Sequence, residues 1–269
     1  MPVSASEHTA SAESASEAEA SRSGPITTAI AAARSLTTFL FISVYTLVLA
    51  PVGLIVLRIF RTNELLFVFG HGAVWLALHL AGIRYRVAGR EHVPATRAVV
   101  FCANHQSNVD PPVLFKALHR RLYFLYKAEL SKLPILGYMF DAGGFVPIER
   151  SNREEAMASI RRGAASIRQG HSFLIFPEGT RSRTDALLPF KKGGFIMAIQ
   201  AQAPILPVAI SGGRAAMRRG SWMLWPARVT VRIGEPVDTA GLTADDRDRL
   251  IAIVRTRIEA LLAAGPLSH

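Results

Sequence analysis

A short segment, residues 104–110 (NHQSNVD), holds a histidine and an aspartate five positions apart. Histidine titrates near neutral pH and can take a proton from an alcohol, and a carboxylate on its other ring nitrogen stabilises the protonated form. His105 and Asp110 therefore predict a general base and the residue that orients it. The hydroxyl that is activated can belong to the substrate. The segment by itself also allows a plainer interpretation, in which Asp110 caps a helix that begins at Pro111 and His105 is an ordinary loop residue.

A second polar segment, residues 176–182 (FPEGTRS), also follows an apolar β-rich run. Its Glu178 can position Arg181 or accept a hydrogen bond from a substrate hydroxyl, and the planar guanidinium of Arg181 suits a phosphate. The alternative is a polar turn with a surface ion pair, which contributes little to stability. Two further segments are weaker alone: residues 144–150 (GFVPIER) end on Arg150, and residues 203–208 (APILPV) indicate only the start of a strand.

The segments lie among short β-rich runs that alternate with amphipathic helical runs, which indicates an α/β domain over residues 85–269. We expect a mixed, mostly parallel sheet flanked by helices, with His105 at the carboxyl end of a strand, where such folds place reacting groups. Predicted strands cover residues 98–103, 122–126, 145–148, 172–176, 205–210 and 229–233, and predicted helices cover 153–169, 194–202 and 243–264.

The first third of the chain has a different character. Residues 1–25 are rich in Ser, Ala and Glu without apolar periodicity, which predicts a disordered tail. Residues 36–57 and 65–83 carry no formal charge, and each run is long enough for a membrane-crossing helix. We therefore predict a membrane-anchoring two-helix hairpin over residues 34–84. Arginines flank both runs, which favours a hairpin dipping into one leaflet over two full spans, with buried core helices as the remaining alternative.

The net charge and the composition limit the kinds of molecule that the protein is expected to bind. The formal net charge is +11 and half of the residues are hydrophobic, which points to an anionic membrane surface or an anionic substrate. No aromatic residues interleave the basic pairs as a nucleic-acid-binding stripe requires, so we expect no nucleic-acid partner. With the single Cys102 and no clustered histidines at ligand spacing, we expect no disulfide and no metal site.

The four segments NHQSNVD, GFVPIER, FPEGTRS and APILPVAI together resemble the four sequence blocks of the glycerolipid acyltransferase family, in family order across residues 104–208. The resemblance is closest to the 1-acylglycerol-3-phosphate acyltransferases. The His-four-residues-Asp pattern and the Phe-Pro-Glu-Gly-Thr-Arg pattern both match, and residues 126–137 (YKAELSKLPILG) also look like that family. The chain departs at Pro147, where an aromatic residue is frequent, and at Ala203, where valine is commoner.

The resemblance implies transfer of a fatty acyl group from acyl-CoA or acyl carrier protein to the sn-2 hydroxyl of lysophosphatidic acid, giving phosphatidic acid. It implies that His105 is the general base, that Asp110 orients it, and that no acyl-enzyme forms. No metal and no cofactor besides the acyl donor is implied. Two alternatives stay open: another lysolipid acceptor, such as a lyso-aminolipid, and a catalytically silent module that binds anionic lipid.

The resemblance also implies a binding role for five residues. Arg150 and Arg181 would hold the acceptor phosphate, Glu178 and Gly179 would shape that subsite, and Lys127 would contact phosphate or the acyl carrier. The expected location is the cytoplasmic face of a membrane, the inner membrane if the source is bacterial.

Overall fold

The computed structural model describes residues 24–118, 121–149, 152–184 and 186–267. The strands in this part of the chain are β1 (Ile83–Ala88), β2 (Val100–Ala103), β3 (Leu122–Lys127), β4 (Val146–Ile148), β5 (Ser172–Ile175), β6 (Ile205–Ser211) and β7 (Ala227–Ile233). The α-helices are α1 (Pro25–Phe60), α2 (Glu64–Leu80), α3 (Asp110–Ala117), α4 (Pro134–Gly143), α5 (Arg153–Arg168), α6 (Gly193–Ala201), α7 (Gly213–Ala216) and α8 (Arg247–Ala263). Short 3-10 helices cover Arg90–His92, Ala128–Lys132 and Ala244–Asp246.

The strands form one sheet in the order β1-β7-β6-β2-β5-β3-β4. Only the β6–β7 pair is antiparallel, and all other neighbouring strands run parallel. The predicted mixed, mostly parallel sheet is confirmed. Because parallel strands present their carboxyl ends at a common edge, the loops that follow β2, β3, β4 and β5 lie along that edge.

Strand β2 lies inside the sheet and shows why helices cover both faces. Phe101 and Ala103 belong to a core that includes Val113 of α3, whereas Val100 and Cys102 belong to a second core built with α5, α6 and α8. All four residues of β2 are fully buried. Successive side chains of a strand point to opposite faces, so an apolar run such as this one requires cover on both sides.

Strand β1 and the helices α4 and α7 were not among the predicted elements. In β1, Arg84 and Arg86 are exposed while Tyr85 and Val87 pack against the core, so the alternation is that of a half-buried edge strand. The sheet therefore begins at Ile83. Helix α4 was also not predicted, although its first residue is a proline, which suits the first turn of a helix.

Helix α1 is 36 residues long. In the part of the chain that the structure describes, it is the one helix whose length and composition would allow it to cross a membrane. Its most apolar window is only 11% buried. Helix α2 has 17 residues, fewer than the predicted apolar run, because Gly82 turns the chain at φ 71° and Ile83 enters the sheet. Residues 1–23 of the predicted tail lie outside the described residues, and the anchoring role of residues 34–84 stays a prediction.

Polar contacts attach both helices to the sheet domain. The backbone N–H of Leu224 donates to Ser35 Oγ of α1 at 2.7 Å, and both residues are buried. At the start of α2, Glu64 forms an ion pair with Arg121, which precedes β3. The helices are therefore held against the sheet domain at more than one point.

We expect the approach of β1 to β7 to depend on Gly89. Its φ is 83°, and a Cβ there would overlap the carbonyl of Ile233. Gly241 has a similar φ of 74° but open space around it, which makes Gly241→Ala the matched control. Gly89→Ala should lower the free energy of unfolding by about 2–4 kcal/mol and Gly241→Ala by about 1 kcal/mol. Denaturation of the detergent-solubilised protein checks this, and equal losses would contradict it.

Candidate active site

The structure brings His105 and Asp110 together at the carboxyl end of β2. His105 Nδ1 lies 3.0 Å from Asp110 Oδ2. The Asp110 side chain is 1% exposed and that of His105 is 16% exposed. When Nδ1 carries the proton and donates to the carboxylate, Nε2 keeps a lone pair that can accept a proton from a substrate.

The same carboxylate oxygen also closes the loop that carries the histidine. Asp110 Oδ2 accepts the backbone N–H groups of Gln106 at 2.6 Å and Ser107 at 2.7 Å. Both groups precede α3, whose N-cap residue is Val109 without a side-chain cap. Asp110 therefore binds the loop rather than capping the helix, unlike the capping role that the segment by itself allowed.

The backbone of His105 is held from the opposite side by the segment after β5. Glu178 Oε1 accepts the N–H of His105 at 2.8 Å, and the N–H of Ser182 donates to the His105 carbonyl at 2.8 Å. Glu178 Oε2 accepts the N–H of Leu188 at 2.9 Å. Burial raises the pKa of Glu178 above its usual value, although both backbone hydrogen bonds act in the opposite direction. The contacts of Glu178 are thus to backbone, which the sequence did not indicate.

Two other side chains of the first segment tie it to β6 and the loop beyond. The Asn104 amide donates to the carbonyl of Ile210 at 2.9 Å and accepts its N–H at 2.8 Å. Ser107 Oγ donates to the carbonyl of Met217 at 2.8 Å. Asn104 and Ser107 are fully buried, so these bonds are shielded from water and keep the loop in place.

Two residues without a predicted role shape the surroundings of the pair. The Phe176 ring stacks on the imidazole of His105, with 4.2 Å between ring centroids. Gly213 lies beside Asp110, and a Cβ at this position would overlap Oδ1. Phe176 lies within a segment that sequence analysis singled out, whereas the contact of Gly213 depends on the distant packing of α7 against α3.

Cationic groups surround the loop after β5. Gly179 has φ 68°, and Lys191 crosses it so closely that its Cε lies 2.8 Å from the position of a Cβ. The backbone N–H of Lys191 also donates to the carbonyl of Pro177 at 2.8 Å. Arg181 is partly exposed, and its carbonyl accepts a hydrogen bond from Arg219 at 2.8 Å. Sequence analysis assigned no role to Lys191, and its position beside this loop required the tertiary structure.

The two remaining predicted residues belong to β3 and to the region after β4. Lys127 ends β3 at the same edge of the sheet, is exposed, and pairs with Glu129 at 2.8 Å. Arg150 lies outside the described residues, so its predicted phosphate contact stays a prediction. The structure therefore places Lys127 at the edge of the sheet that carries His105 and pairs it with a neighbouring carboxylate, and its predicted binding role stays a prediction.

An apolar cavity of about 310 Å³ lies between α1, α2, α3 and α4. Pro111 and Pro112, which directly follow Asp110, form part of its wall. Ala73, Phe115 and Phe140 are among the other lining residues. The cavity thus reaches the first turn of α3, directly after Asp110 in the chain, and is formed largely by the N-terminal helices.

Comparison with known proteins relates the chain to one family. The family model described as Acyltransferase matches residues 84–211. The 1-acyl-sn-glycerol-3-phosphate acyltransferase of Cocos nucifera is 33% identical over 220 residues, which cover 80% of this chain and 70% of the relative. The chain belongs to the 1-acyl-sn-glycerol-3-phosphate acyltransferase family. The resemblance of the four sequence segments is thereby confirmed.

Other members of this family show similar identity over a somewhat shorter part of the chain. The alpha enzyme of Mus musculus is 35% identical over 181 residues, covering 66% of this chain and 64% of the relative. The Limnanthes douglasii enzyme is 30% identical over 187 residues, which cover 69% of this chain and 66% of the relative. The matched region thus spans about two thirds of the length of these relatives.

The similarity extends to a solved structure of the same family. The crystal structure of the 1-acyl-sn-glycerophosphate (LPA) acyltransferase from Thermotoga maritima has a TM-score of 0.68 and 25% sequence identity. The matched region covers 84% of this chain and 95% of the Thermotoga maritima chain. The comparison therefore includes more than the four sequence segments, and it supports the fold of this acyltransferase.

We expect Glu178→Gln to impair this acyltransferase by displacing His105 rather than by removing a substrate contact. Glu178 accepts one hydrogen bond from the backbone N–H of His105 and one from that of Leu188. A glutamine has only one acceptor oxygen, so its NH₂ group would face one of these N–H donors and that hydrogen bond would be lost. Turnover should fall by about 10- to 100-fold with little change in KM for the acceptor. Steady-state kinetics check this against Glu235→Gln, an exposed control. A raised KM at unchanged turnover would contradict the expectation.

Proposed function

We propose that this acyltransferase moves a fatty acyl group from the thioester of acyl-CoA or acyl carrier protein to the sn-2 hydroxyl of lysophosphatidic acid. The product is phosphatidic acid, a precursor in phospholipid biosynthesis. The observation that carries the proposal is the 3.0 Å contact between His105 and Asp110 at the carboxyl end of β2. The names of the relatives support the choice of acceptor.

The proposed reaction needs one base and no covalent enzyme intermediate. Asp110 accepts the Nδ1–H of His105, and Nε2 takes the proton from the acceptor hydroxyl as its oxygen attacks the thioester carbonyl carbon. A tetrahedral intermediate forms, the carbon–sulfur bond breaks, and the thiolate takes the proton back from Nε2. The protein groups end in their starting state, so the reaction balances without a metal or a further cofactor.

The cations at the edge of the sheet support recognition of a phosphate. Arg181 lies in the loop that holds His105, and Lys191 crosses Gly179 in the same loop. Guanidinium groups bind phosphate oxygens in pairs, and an ammonium adds a further charge-assisted hydrogen bond. In the proposed function these groups hold the acceptor phosphate together with Arg150 and Lys127.

The apolar cavity supports a fatty acyl substrate. Its wall contains Pro111 and Pro112, which directly follow Asp110 in the chain, and residues of α1 and α2 form much of the rest. A chain of methylene groups gains free energy in proportion to the apolar area that it removes from water. We assign the cavity to the acyl chain of the donor, with the thioester at the end next to His105.

The proposed setting is a membrane surface, with the sheet domain at the cytoplasmic face. Helix α1 exposes most of its apolar surface, and a lysolipid acceptor resides in a bilayer. The net charge of +11 also favours an anionic membrane and an acidic acyl donor. These features support an enzyme that meets its acceptor in the membrane and its donor from the aqueous side.

We expect His105→Ala to lower acyl transfer by about 10²- to 10⁴-fold, since this is the usual contribution of a general base. Asp110→Asn should also reduce turnover, because it removes the charge that stabilises the imidazolium. His79→Ala, a change of an exposed histidine on α2, is the control. The assay uses membranes that contain the full chain, labelled acyl-CoA or acyl carrier protein, and a panel of lysolipids.

The acceptor panel separates the proposed function from its alternatives. Phosphatidic acid formation that requires His105 supports the proposal. Transfer to a different lysolipid alone would keep the mechanism and overturn the choice of acceptor. No transfer to any acceptor by the wild-type chain, together with binding to anionic vesicles, would favour the catalytically silent lipid-binding module.

We expect Ala73→Phe to shift the donor preference toward shorter acyl chains, because the added ring occupies the apolar cavity. Val68 lies on the same helix but is 48% exposed and does not line the cavity, so Val68→Phe is the matched control. Competition among acyl-CoA donors of increasing chain length measures the shift. An unchanged chain-length profile in Ala73→Phe would exclude the cavity as the donor-chain site.

A further inference from the structure

We infer that the loop between α7 and β7, residues 217–226, is a second membrane contact that binds the anionic surface of the bilayer. We call it the Arg–Trp loop, because it carries Arg218, Arg219 and Trp222. The inference rests on the proposed membrane setting and is independent of the acyl-transfer chemistry. It extends membrane contact from the N-terminal helices to the sheet domain itself.

The Arg–Trp loop is attached to helix α1 just before residues 36–57, the run of that helix without a formal charge. Leu224 donates its N–H to Ser35 Oγ at 2.7 Å, and Ser35 Oγ donates in turn to the carbonyl of Ala31 at 2.6 Å. Directly after Ser35, Leu36 is 66% exposed, and exposed apolar residues continue along α1. Arg34 immediately precedes this contact. A bilayer that covers this uncharged run of α1 therefore has its headgroup region close to the loop.

The chemistry of the Arg–Trp loop suits that headgroup region. Trp222 is 53% exposed although it is a large apolar side chain. Tryptophan is enriched at membrane–water interfaces, where its ring contacts acyl chains and its N–H meets polar groups. Arg218 and Arg219 supply positive charge, and the sequence holds no aspartate or glutamate between Ser211 and Gly234. The local excess of positive charge in the sequence and the adjacent apolar helix favour anionic lipid over an acidic protein as the partner.

The Arg–Trp loop is a defined structure that also contacts the catalytic loops. Ser221 donates its N–H to Arg218 O at 3.1 Å, and Met223 donates its N–H to Ser221 Oγ at 3.0 Å. Arg219 reaches the carbonyl of Arg181 at 2.8 Å, so the loop touches the segment that holds His105. Membrane contact at this loop would set the height of the active site above the headgroups.

Tryptophan fluorescence of the full chain in vesicles tests the inference. Trp75, Trp222 and Trp225 are the tryptophans of the chain, so W75F/W225F leaves Trp222 as the reporter and W222F/W225F leaves Trp75 on α2. Vesicles contain phosphatidylcholine and phosphatidylglycerol, with or without bromine on the acyl chains. We expect brominated lipid to quench Trp222 and its emission to shift to shorter wavelength relative to detergent solution.

The arginines are tested in the same Trp222 reporter. Adding R218Q/R219Q should weaken the membrane-bound state of the loop by about five-fold for each arginine removed, observed as reduced quenching in phosphatidylglycerol vesicles. Omitting phosphatidylglycerol should reduce quenching of the unchanged loop in the same direction. Quenching that is insensitive both to phosphatidylglycerol and to these substitutions would overturn the anionic-lipid assignment.

The two reporters show separately whether the Arg–Trp loop contacts the membrane and whether the N-terminal helices do. Quenching of Trp75 without quenching of Trp222 would overturn the Arg–Trp loop contact and leave the membrane contact of the helices in place. Absence of quenching in both reporters would overturn the loop contact together with the proposed membrane setting. Acyl transfer, measured separately on wild-type protein, decides the proposed function in either case.

Discussion

A buried carboxylate oxygen organises the candidate site. Asp110 Oδ2 lies within hydrogen-bonding distance of the His105 ring and accepts the backbone N–H groups of Gln106 and Ser107. A buried charge is costly unless hydrogen bonds replace its water, so the loop after β2 must wrap around this oxygen. That requirement sets the path of the chain from β2 into α3 and the direction of the imidazole.

A second buried carboxylate applies the same principle from the neighbouring strand. Glu178 accepts the N–H groups of His105 and Leu188, and Ser182 completes the contact with the His105 carbonyl. The histidine backbone is therefore held through both of its polar groups while its ring rests on Phe176. In the proposed reaction, such preorganisation would hold Nε2 ready to accept the proton of the substrate hydroxyl without rearrangement of the loop.

The substrates of the proposed reaction combine charge with long apolar chains, and the structure provides for both. Cations gather on the loop after β5, whereas the cavity next to Pro111 and Pro112 is apolar. The wall of that cavity includes helices whose outer surfaces remain exposed and apolar. The inferred contact of the Arg–Trp loop with lipid headgroups would place the charged part of the site at the level of those headgroups.

The sequence by itself determined the fold class, the partnership of His105 with Asp110, and the family. The fold class could be predicted because the spacing of apolar residues along the chain reflects which faces of strands and helices are buried. The His105–Asp110 contact could be predicted because a separation of five positions lets a loop side chain meet the first residue of the next helix. Other features depended on tertiary structure. The partners of Glu178 and Gly213, and the position of Lys191 over Gly179, follow from strand order and helix packing. Contacts between residues as distant as His105 and Glu178 leave no local pattern, because the spacing along the chain does not encode which strands become neighbours.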